Sequence, residues 1–204
     1  MPGPPFVGLT GGIGAGKSEA LAALERLGVA TLSADAVVHE LYGSPELVAL
    51  VRDRWGGGVI AADGTVDRGA VARHVFADPG EREWLESVLW PRVGERMMAW
   101  KAEHEAAASE RSEVGAPRAL VVETPLLFES GMDRGYEATI AVIADEEIRA
   151  QRAASRGHEV VDERTARQLT QGEKADRATY VVRNDGSLAE LEKELSAVLE
   201  KIEA

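Results

Sequence analysis

The glycine-rich stretch GLTGGIGAGKSEA, between Gly8 and Ala20, constrains the fold of this chain more than any other feature. Glycine loses much conformational entropy on folding and adds no side chain to a core, so a cluster of glycines marks a backbone that approaches another group closely. An apolar run, Phe6 to Thr10, precedes the cluster, and apolar residues at helical spacing follow it as far as Gly28. The pattern predicts a strand, a loop and a helix.

The spacing inside the stretch indicates what the backbone approaches. Gly11, Gly16, Lys17 and Ser18 match the phosphate-loop pattern G-x-x-x-x-G-K-[ST]. In such a loop, backbone N–H groups surround phosphate oxygens and the next helix adds the positive end of its dipole. Lys17 would neutralise the β- and γ-phosphates, and the Ser18 hydroxyl would ligate magnesium. The dinucleotide pattern G-x-G-x-x-G is not met, because its third glycine would fall on Lys17 or Glu19.

Composition narrows the function classes further. The 204 residues suffice for one core, and the absence of cysteine excludes disulfides, thiolate metal sites and a cysteine nucleophile. The formal net charge of -12 argues against binding to nucleic acid or an anionic membrane. The first residues lack the pattern of a signal peptide, and no apolar run reaches the roughly 18 residues needed to span a bilayer. We therefore expect a cytoplasmic protein.

The remaining chain alternates predicted strands and helices. Further strands are predicted at Val29–Leu32, Ala119–Val122 and Thr139–Ala144, the last of these expected to close the sheet. This alternation favours an α/β fold with a doubly wound parallel sheet. A mostly helical insertion covers roughly residues 45–105, and Leu188–Ile202 has the pattern of an amphipathic closing helix. The insertion contains all four tryptophans, Trp55, Trp84, Trp90 and Trp100. They form either a subdomain core or a ligand-stacking surface.

Three acidic residues follow predicted strands. Asp35 comes after the second strand, close to the sheet edge where the glycine loop opens. A carboxylate there could accept the proton of an alcohol in a kinase, or it could simply cap the following helix. Glu123 ends the strand that begins at Ala119, where P-loop proteins commonly place an acid near the metal, and the role of Glu129 is less clear. Each of the last two could instead be a solvated loop acid.

Arginines form a cationic stripe after the predicted last strand. Arg149, Arg152 and Arg156 recur at spacings of three and four, which places them on one helix face. Such a face is either a solvated surface or part of a lid over a triphosphate, where one arginine can contribute about 10³- to 10⁵-fold in rate.

Six segments together resemble, in order, the landmarks of the dephospho-coenzyme A kinase family: TGGIGAGKS, ADAVVHEL, GGGVIAADGTVDRGAVARHVF, ETPLLFESGM, RAQRAASR and NDGS. The resemblance extends from about Gly8 to Gly186. The phosphate loop occurs in many families, whereas PLLFE combined with ADG-x-x-x-R is much more specific. Members of this family phosphorylate the 3′-hydroxyl of dephospho-CoA with ATP and magnesium, in the last step of coenzyme A synthesis. The resemblance thus implies dephospho-CoA as the partner, and ATP and Mg²⁺ as cofactors.

The resemblance also implies roles for individual residues. It makes Asp35 the general base, with Lys17 and Arg152 as further catalytic residues, and makes Arg152 and Arg156 lid arginines. ATP would be bound by the loop residues Ile13, Gly14, Ala15, Gly16, Lys17 and Ser18, to which the phosphate-loop pattern adds Gly11 and Gly12. Asn184 and Gly186 match a family loop near the adenine. The acceptor side would include Asp63, Gly64 and Arg68.

The implied fold is that of a P-loop NTPase, a parallel sheet flanked by helices. Its core would comprise residues 6–44, 118–148 and 178–204. A helical acceptor-binding insertion would span residues 45–117, and an arginine-rich lid residues 149–177.

Three of the chain's departures from the family pattern bear on its activity. Ser33 stands where the family usually has the first aspartate of D-x-D, Trp90 replaces a histidine before proline, and Thr179 replaces an aspartate. These differences leave two alternatives open: a kinase of another small alcohol or nucleotide, and a nucleotide-binding homologue with impaired catalysis.

Overall fold

Five short strands, all parallel, form one sheet. The computed structural model describes residues 3–110, 116–155 and 168–204. The strands are β1 Phe6–Gly11, β2 Ala30–Ser33, β3 Leu120–Glu123, β4 Ala138–Ile143 and β5 Tyr180–Arg183. The α-helices among these residues are α1 Lys17–Arg26, α2 Ala34–Leu41, α3 Pro45–Trp55, α4 Arg68–Ala77, α5 Pro79–Glu110, α6 Glu146–Ser155, α7 Gln171–Arg177 and α8 Leu188–Ile202. Short 3₁₀ helices cover Gly57–Val59 and Met132–Gly135.

Strand β1 lies in the middle of the sheet. The order is β2-β3-β1-β4-β5, so the chain builds β2 and β3 on one side of β1 and then β4 and β5 on the other. The sheet therefore changes winding direction next to β1, and ligands of open parallel sheets bind at such a switch point, beyond the carboxyl ends of the strands. The glycine loop leaves β1 at this position.

Burial of apolar side chains fixes the position of the loop. Every residue of β1 and β3 is buried, as expected for central parallel strands covered on both faces. Helices α1 and α8 pack together and contribute Leu24, Leu191 and Leu195 to the core that contains Val7 and Val142. The loop is thus anchored between a buried strand and a buried helix face.

The predicted α/β fold is confirmed, with one correction. The expectation that the sheet ends at Thr139–Ala144 is wrong, because β5 at Tyr180–Arg183 adds a parallel strand beside β4. Three of the four residues of β5 retain substantial exposure, so the segment lacks the continuous apolar run by which buried parallel strands are predicted. The arginine-rich α6 consequently lies between two strands of the sheet in chain order, and not after the last one.

The chain divides into two compact units, Met1–Ser33 with Lys101–Ala204, and Ala34–Trp100. In the second unit, Trp55 stacks on His74 with ring centroids 5.2 Å apart and meets the Trp84 edge at 5.0 Å. The Trp55 indole N–H also donates to Glu81 at 2.7 Å. These contacts favour the core interpretation for Trp55 and Trp84, which are partly buried, whereas Trp90 is 40% exposed. Among the described helices, none is long and apolar enough to cross a membrane.

Candidate functional site

The glycine loop has the backbone geometry of an anion-binding nest. Gly14 and Gly16 adopt left-handed conformations, with φ of 76° and 90°, which side chains disfavour. Helix α1 begins immediately afterwards at Lys17, and no side chain caps it because Gly16 occupies the N-cap position. The first N–H groups of a helix have no intrahelical acceptor. Here they face the loop, so a phosphate oxygen is a suitable acceptor.

Lys17 places a positive charge inside this loop. Its Nζ donates to the carbonyl oxygens of Gly11 at 3.1 Å and Gly12 at 3.5 Å. It also lies 3.9 Å from the Glu123 carboxylate, and its side chain is 18% exposed. The ammonium group is therefore held by the loop itself, on a side chain that stays partly exposed.

Glu123 is a buried carboxylate at the carboxyl end of β3. It is 6% exposed and pairs in register with Leu9 of β1 and Ser33 of β2. The Ser33 hydroxyl donates to its Oε2 at 3.0 Å, while Oε1 faces Lys17. The interpretation of Glu123 as a solvated loop acid is therefore wrong. Ser33, one of the departures from the family pattern, holds this carboxylate through a neutral donor.

Two arginines of α6 reach the loop. The Arg149 Nε donates to the carbonyl oxygen of Ile13 at 3.0 Å, and its NH1 pairs with Glu146 at 2.6 Å. Its side chain is only 17% exposed. A Cβ added at Gly12 would lie 2.9 Å from the Arg149 guanidinium, so glycine at that position leaves room for the arginine. The alternative of a solvated surface arginine is wrong for Arg149.

Arg152 reaches the loop through Asn184. Its NH1 donates to the Asn184 carbonyl at 3.0 Å, and the buried Asn184 amide donates to the Ala15 carbonyl at 3.0 Å. Arg156 lies outside the described residues. Gly186 precedes Ser187, the N-cap of α8, whose capping box with Glu190 fills the space that a Cβ at Gly186 would need. This local packing explains why glycine occupies position 186.

The other predicted site residues belong to the second unit. Asp35 is exposed in the first turn of α2, two residues beyond the end of β2. It is the second helical residue, so it does not occupy the N-cap position. Asp63 accepts from the Thr65 N–H at 3.0 Å and hydroxyl at 2.7 Å in an exposed turn. Gly64 follows with φ of 86°, and Arg68 is exposed at the start of α4.

Oxygen ligands for a hard cation lie at the loop. Ser18 is exposed in the first turn of α1, and Glu123 lies beside Lys17. The described residues contain no group of three His, Cys, Asp or Glu side chains able to hold a metal. Mg²⁺ commonly uses one or two protein oxygens together with water and substrate phosphates. A hydroxyl and a carboxylate of this kind fit such an ion.

Sequence reasoning did not find Lys174, a lysine of α7 with no exposed side-chain surface. Its Nζ pairs with Glu129 at 3.1 Å, and it also donates to the Thr10 hydroxyl at 3.3 Å and to the Pro125 carbonyl. Glu129 is accordingly not a solvated loop acid. Burial lowers the pKa of Lys174, the carboxylate of Glu129 opposes this shift, and the nearby positive charge of Lys17 adds to it. The sequence around Lys174 is polar and charged, and nothing in it predicts burial.

The fold and the loop define a P-loop nucleotide-binding protein of the α/β class. The model of the dephospho-CoA kinase family matches residues 5–190. A dephospho-CoA kinase of Deinococcus radiodurans is 40% identical over 203 residues, covering 98% of this chain and 93% of the relative. The chain belongs to the dephospho-CoA kinase family.

Solved structures share the fold of this chain. A crystal structure of a Thermus thermophilus protein is similar with a TM-score of 0.77 and 33% identity, covering 98% of both chains. The dephospho-CoA kinase of Campylobacter jejuni matches with a TM-score of 0.69 and 21% identity, covering 97% of this chain and 96% of its own. At that identity the second likeness concerns the fold alone.

Proposed function

We propose that this protein transfers the γ-phosphoryl group of ATP to the 3′-hydroxyl of dephospho-CoA, giving coenzyme A and ADP. Within a chain of this family, one observation carries the proposal: the uncapped start of α1, with Lys17 held at the mouth of the loop. This arrangement offers backbone donors and an ammonium group to a polyanion before any ligand arrives.

The loop residues from Gly11 to Ser18 bind the phosphates of ATP in this proposal. Backbone N–H groups of the nest and of the first turn of α1 donate to the phosphate oxygens. Lys17 exchanges its bonds to the carbonyls of Gly11 and Gly12 for bonds to phosphate oxygens, and its charge stabilises the negative charge that spreads over the transferred group. A preformed donor set costs little reorganisation during the reaction.

Magnesium would be held by the Ser18 hydroxyl, and Glu123 would orient its water ligands. When bound, the ion neutralises charge on the β- and γ-phosphates. The protein's own contribution is to hold the Glu123 carboxylate in place, through the ion pair with Lys17 and the hydrogen bond from Ser33.

Asp35 acts as the general base in this proposal. Its carboxylate is exposed on the first turn of α2, directly after a strand whose end lies at the binding edge of the sheet. It accepts the proton of the acceptor hydroxyl as the oxygen attacks the γ-phosphorus.

The two described arginines position the loop, and Arg152 adds positive charge near the phosphates. Arg149 holds the Ile13 carbonyl, and Arg152 supports Asn184, whose amide holds Ala15.

The same proposal keeps Arg156 as a lid arginine and Gly186 near the adenine. It also keeps the segment from Asp63 to Arg68 on the acceptor side, and residues 45–117 and 149–177 as insertion and lid. The cytoplasmic location stays a prediction.

Replacing Asp35 with Asn tests the proposed base. The amide keeps the size of the carboxylate but cannot take up the proton, so kcat should fall by about 10²- to 10⁴-fold. The dissociation constant of a non-hydrolysable ATP analogue, measured by calorimetry, should stay at the wild-type value. Glu40→Gln, on the exposed face of the same helix, is the matched control. Equal losses in turnover and nucleotide affinity would contradict the role of Asp35 as a base.

An acceptor panel separates the proposal from its alternatives. Phosphate transfer from ATP to dephospho-CoA is compared with transfer to nucleosides, nucleoside monophosphates and small sugars, with and without magnesium. Transfer to dephospho-CoA alone supports the proposal, and a preference for another acceptor refutes it. ATP that is bound and never consumed would indicate a homologue that has lost catalysis.

Two of the three departures have structural explanations that do not require lost activity. Ser33 donates to Glu123. Thr179 exchanges hydrogen bonds with Thr139 of β4, where each backbone N–H donates to the other hydroxyl at 3.0 to 3.1 Å. The structure gives no such explanation for Trp90.

A further inference from the structure

The buried Lys174 connects three segments that surround the glycine loop. Its ammonium group has three protons and meets three acceptors, the Thr10 hydroxyl, the Pro125 carbonyl and the Glu129 carboxylate. Thr10 is the residue of β1 immediately before Gly11. The other two acceptors lie in the segment that follows β3 and Glu123.

Hydrogen bonds of residues near Lys174 hold the same part of the fold together. Gln171, one turn before Lys174 on α7, donates to the Ala144 carbonyl at 2.9 Å and accepts from the Ala144 N–H at 3.2 Å. Glu129 accepts from the Leu169 N–H at 2.8 Å. Helix α7 is therefore attached to the carboxyl ends of β1, β3 and β4, which are the strand ends at the binding edge.

Lys174 lies close enough to Lys17 for the two positive charges to influence each other, and close enough to Glu123 for attraction. The loop region therefore contains the partly exposed side chain of Lys17 and, near it, the fully buried side chain of Lys174. A buried charge is expensive and persists where its partners satisfy it completely. The cost is greatest for a side chain without any exposed surface.

We propose that Lys174 is a positioning residue of the phosphate site: it ties the end of β1 to the segment after β3, and so holds Lys17 and Glu123 in their relative places. This inference rests on the proposed nucleotide binding and deepens it. Lys174 does not touch the nucleotide and acts through Thr10 and Pro125.

The competing explanation is a buried ion pair that serves stability alone. The variant Lys174→Met with Glu129→Leu separates the two, because replacing both members of a buried pair with apolar residues is often neutral for stability. We expect a folded protein with a melting temperature moderately below that of the wild type, because the Leu169 N–H loses its acceptor Glu129. The dissociation constant of a non-hydrolysable ATP analogue with magnesium should nevertheless rise by about 10- to 100-fold, the equivalent of a lost hydrogen bond to a charged group.

Two single substitutions, which disturb the core less, test the proposal if the double variant does not fold. Thr10→Val preserves shape and removes one acceptor of Lys174, together with the hydrogen bond that the Thr10 hydroxyl itself donates to the Pro125 carbonyl at 3.3 Å. Thr139→Val is the matched control, because it removes a buried hydroxyl from the neighbouring strand that bonds to Thr179 and not to Lys174. We expect Thr10→Val to weaken binding of the analogue by about 3- to 10-fold, with wild-type affinity in Thr139→Val.

The outcomes are distinct. Wild-type affinity in Thr10→Val or in a folded double variant overturns the proposal, as does equal weakening in both threonine variants. Because the readout is nucleotide binding, a wild-type protein that binds the analogue but transfers nothing to dephospho-CoA refutes the proposed function and leaves this inference standing. A wild-type protein that does not bind the analogue refutes both.

Discussion

The glycine loop, Gly11–Ser18, and the acceptor-side segment, Asp63–Arg68, are held in place by different kinds of contact. The loop is bound by residues far away in the chain: Arg149 lies 136 residues from Ile13, and Asn184 lies 169 residues from Ala15. The acceptor-side segment is held by nearer contacts. Asp63 bonds to Thr65, and Asp67 caps α4 through the N–H groups of Gly69 and Ala70. The backbone N–H groups of Val66 and Asp67 donate to the carbonyls of Tyr42 and Val59, which are 24 and 8 residues away.

The difference separates residues that serve the site from residues that serve local structure. Asp63 and Asp67 are explained by a turn and a helix cap. Among the described residues, the structure gives Arg68 no hydrogen bond or ion pair, and its guanidinium is exposed. In the acceptor-side segment, the proposed binding role therefore rests mainly on Arg68, whereas in the loop it is shared by the whole backbone.

Within the two compared regions, the largest effect is expected at Lys17. Lys17→Met keeps much of the side-chain length but removes the charge that faces the phosphates, so kcat/KM for ATP should fall by about 10²- to 10³-fold. Lys193→Met, on the exposed face of α8, is the matched control and should behave as the wild type. Steady-state kinetics at saturating dephospho-CoA measures both. A Lys17 variant with near-normal kcat/KM would remove the loop from the mechanism.

A smaller loss is expected at Asn184. Asn184→Ala removes the amide that holds Ala15 and leaves a buried carbonyl without its donor, so the affinity for an ATP analogue should fall by about 10-fold. Calorimetry measures the affinity, and thermal unfolding shows whether the fold persists. Unchanged affinity in a folded variant would mean that the long-range contact does not support the loop.

Arg68 provides the matching test in the other region. Arg68→Ala should raise KM for dephospho-CoA by about 10-fold, because an arginine that binds an anionic substrate contributes a charge-assisted hydrogen bond. The affinity for ATP should not change. Arg73→Ala, an exposed arginine of the same helix, is the control. If Arg68→Ala has a normal KM, the acceptor does not bind through this residue.

The smallest effect is expected at Asp63. Hydrogen bonds from the Thr65 N–H and hydroxyl lower the pKa of Asp63 from its ordinary value of 3.8. A lowered folded-state pKa stabilises the fold fully above that ordinary value, and the contribution is lost as pH falls through the folded-state pKa. Thermal unfolding of wild type and Asp63→Ala should therefore differ slightly at pH 7 and converge in acid. A raised KM for dephospho-CoA in this variant would show that Asp63 also contacts the acceptor.

Local signals explain what could be predicted from the sequence. The glycine spacing predicts the loop because positive φ angles and a helix start are local requirements, and helix α8 is found at the predicted residues 188–202. Strand β5 was missed because pairing with β4, and not its own apolar pattern, makes it a strand.

The supporting contacts of the site could not be predicted in this way. Lys174 and Thr10 are 164 residues apart in the chain, and only the folded sheet brings them together. The spacing of Arg149, Arg152 and Arg156 indicates a helix face but not its direction. Contacts of this kind depend on how distant strands and helices pack, and no short pattern of residues carries that information.

The position of the transferred phosphate tests the central claim most directly. Purified protein is incubated with ATP, magnesium and dephospho-CoA, and the product is analysed by phosphorus NMR and mass spectrometry. We predict a new phosphomonoester on the 3′-hydroxyl of the ribose, formed in equal amount with ADP. Intact dephospho-CoA beside unconsumed ATP, or a phosphate on any other hydroxyl, would contradict the proposed reaction.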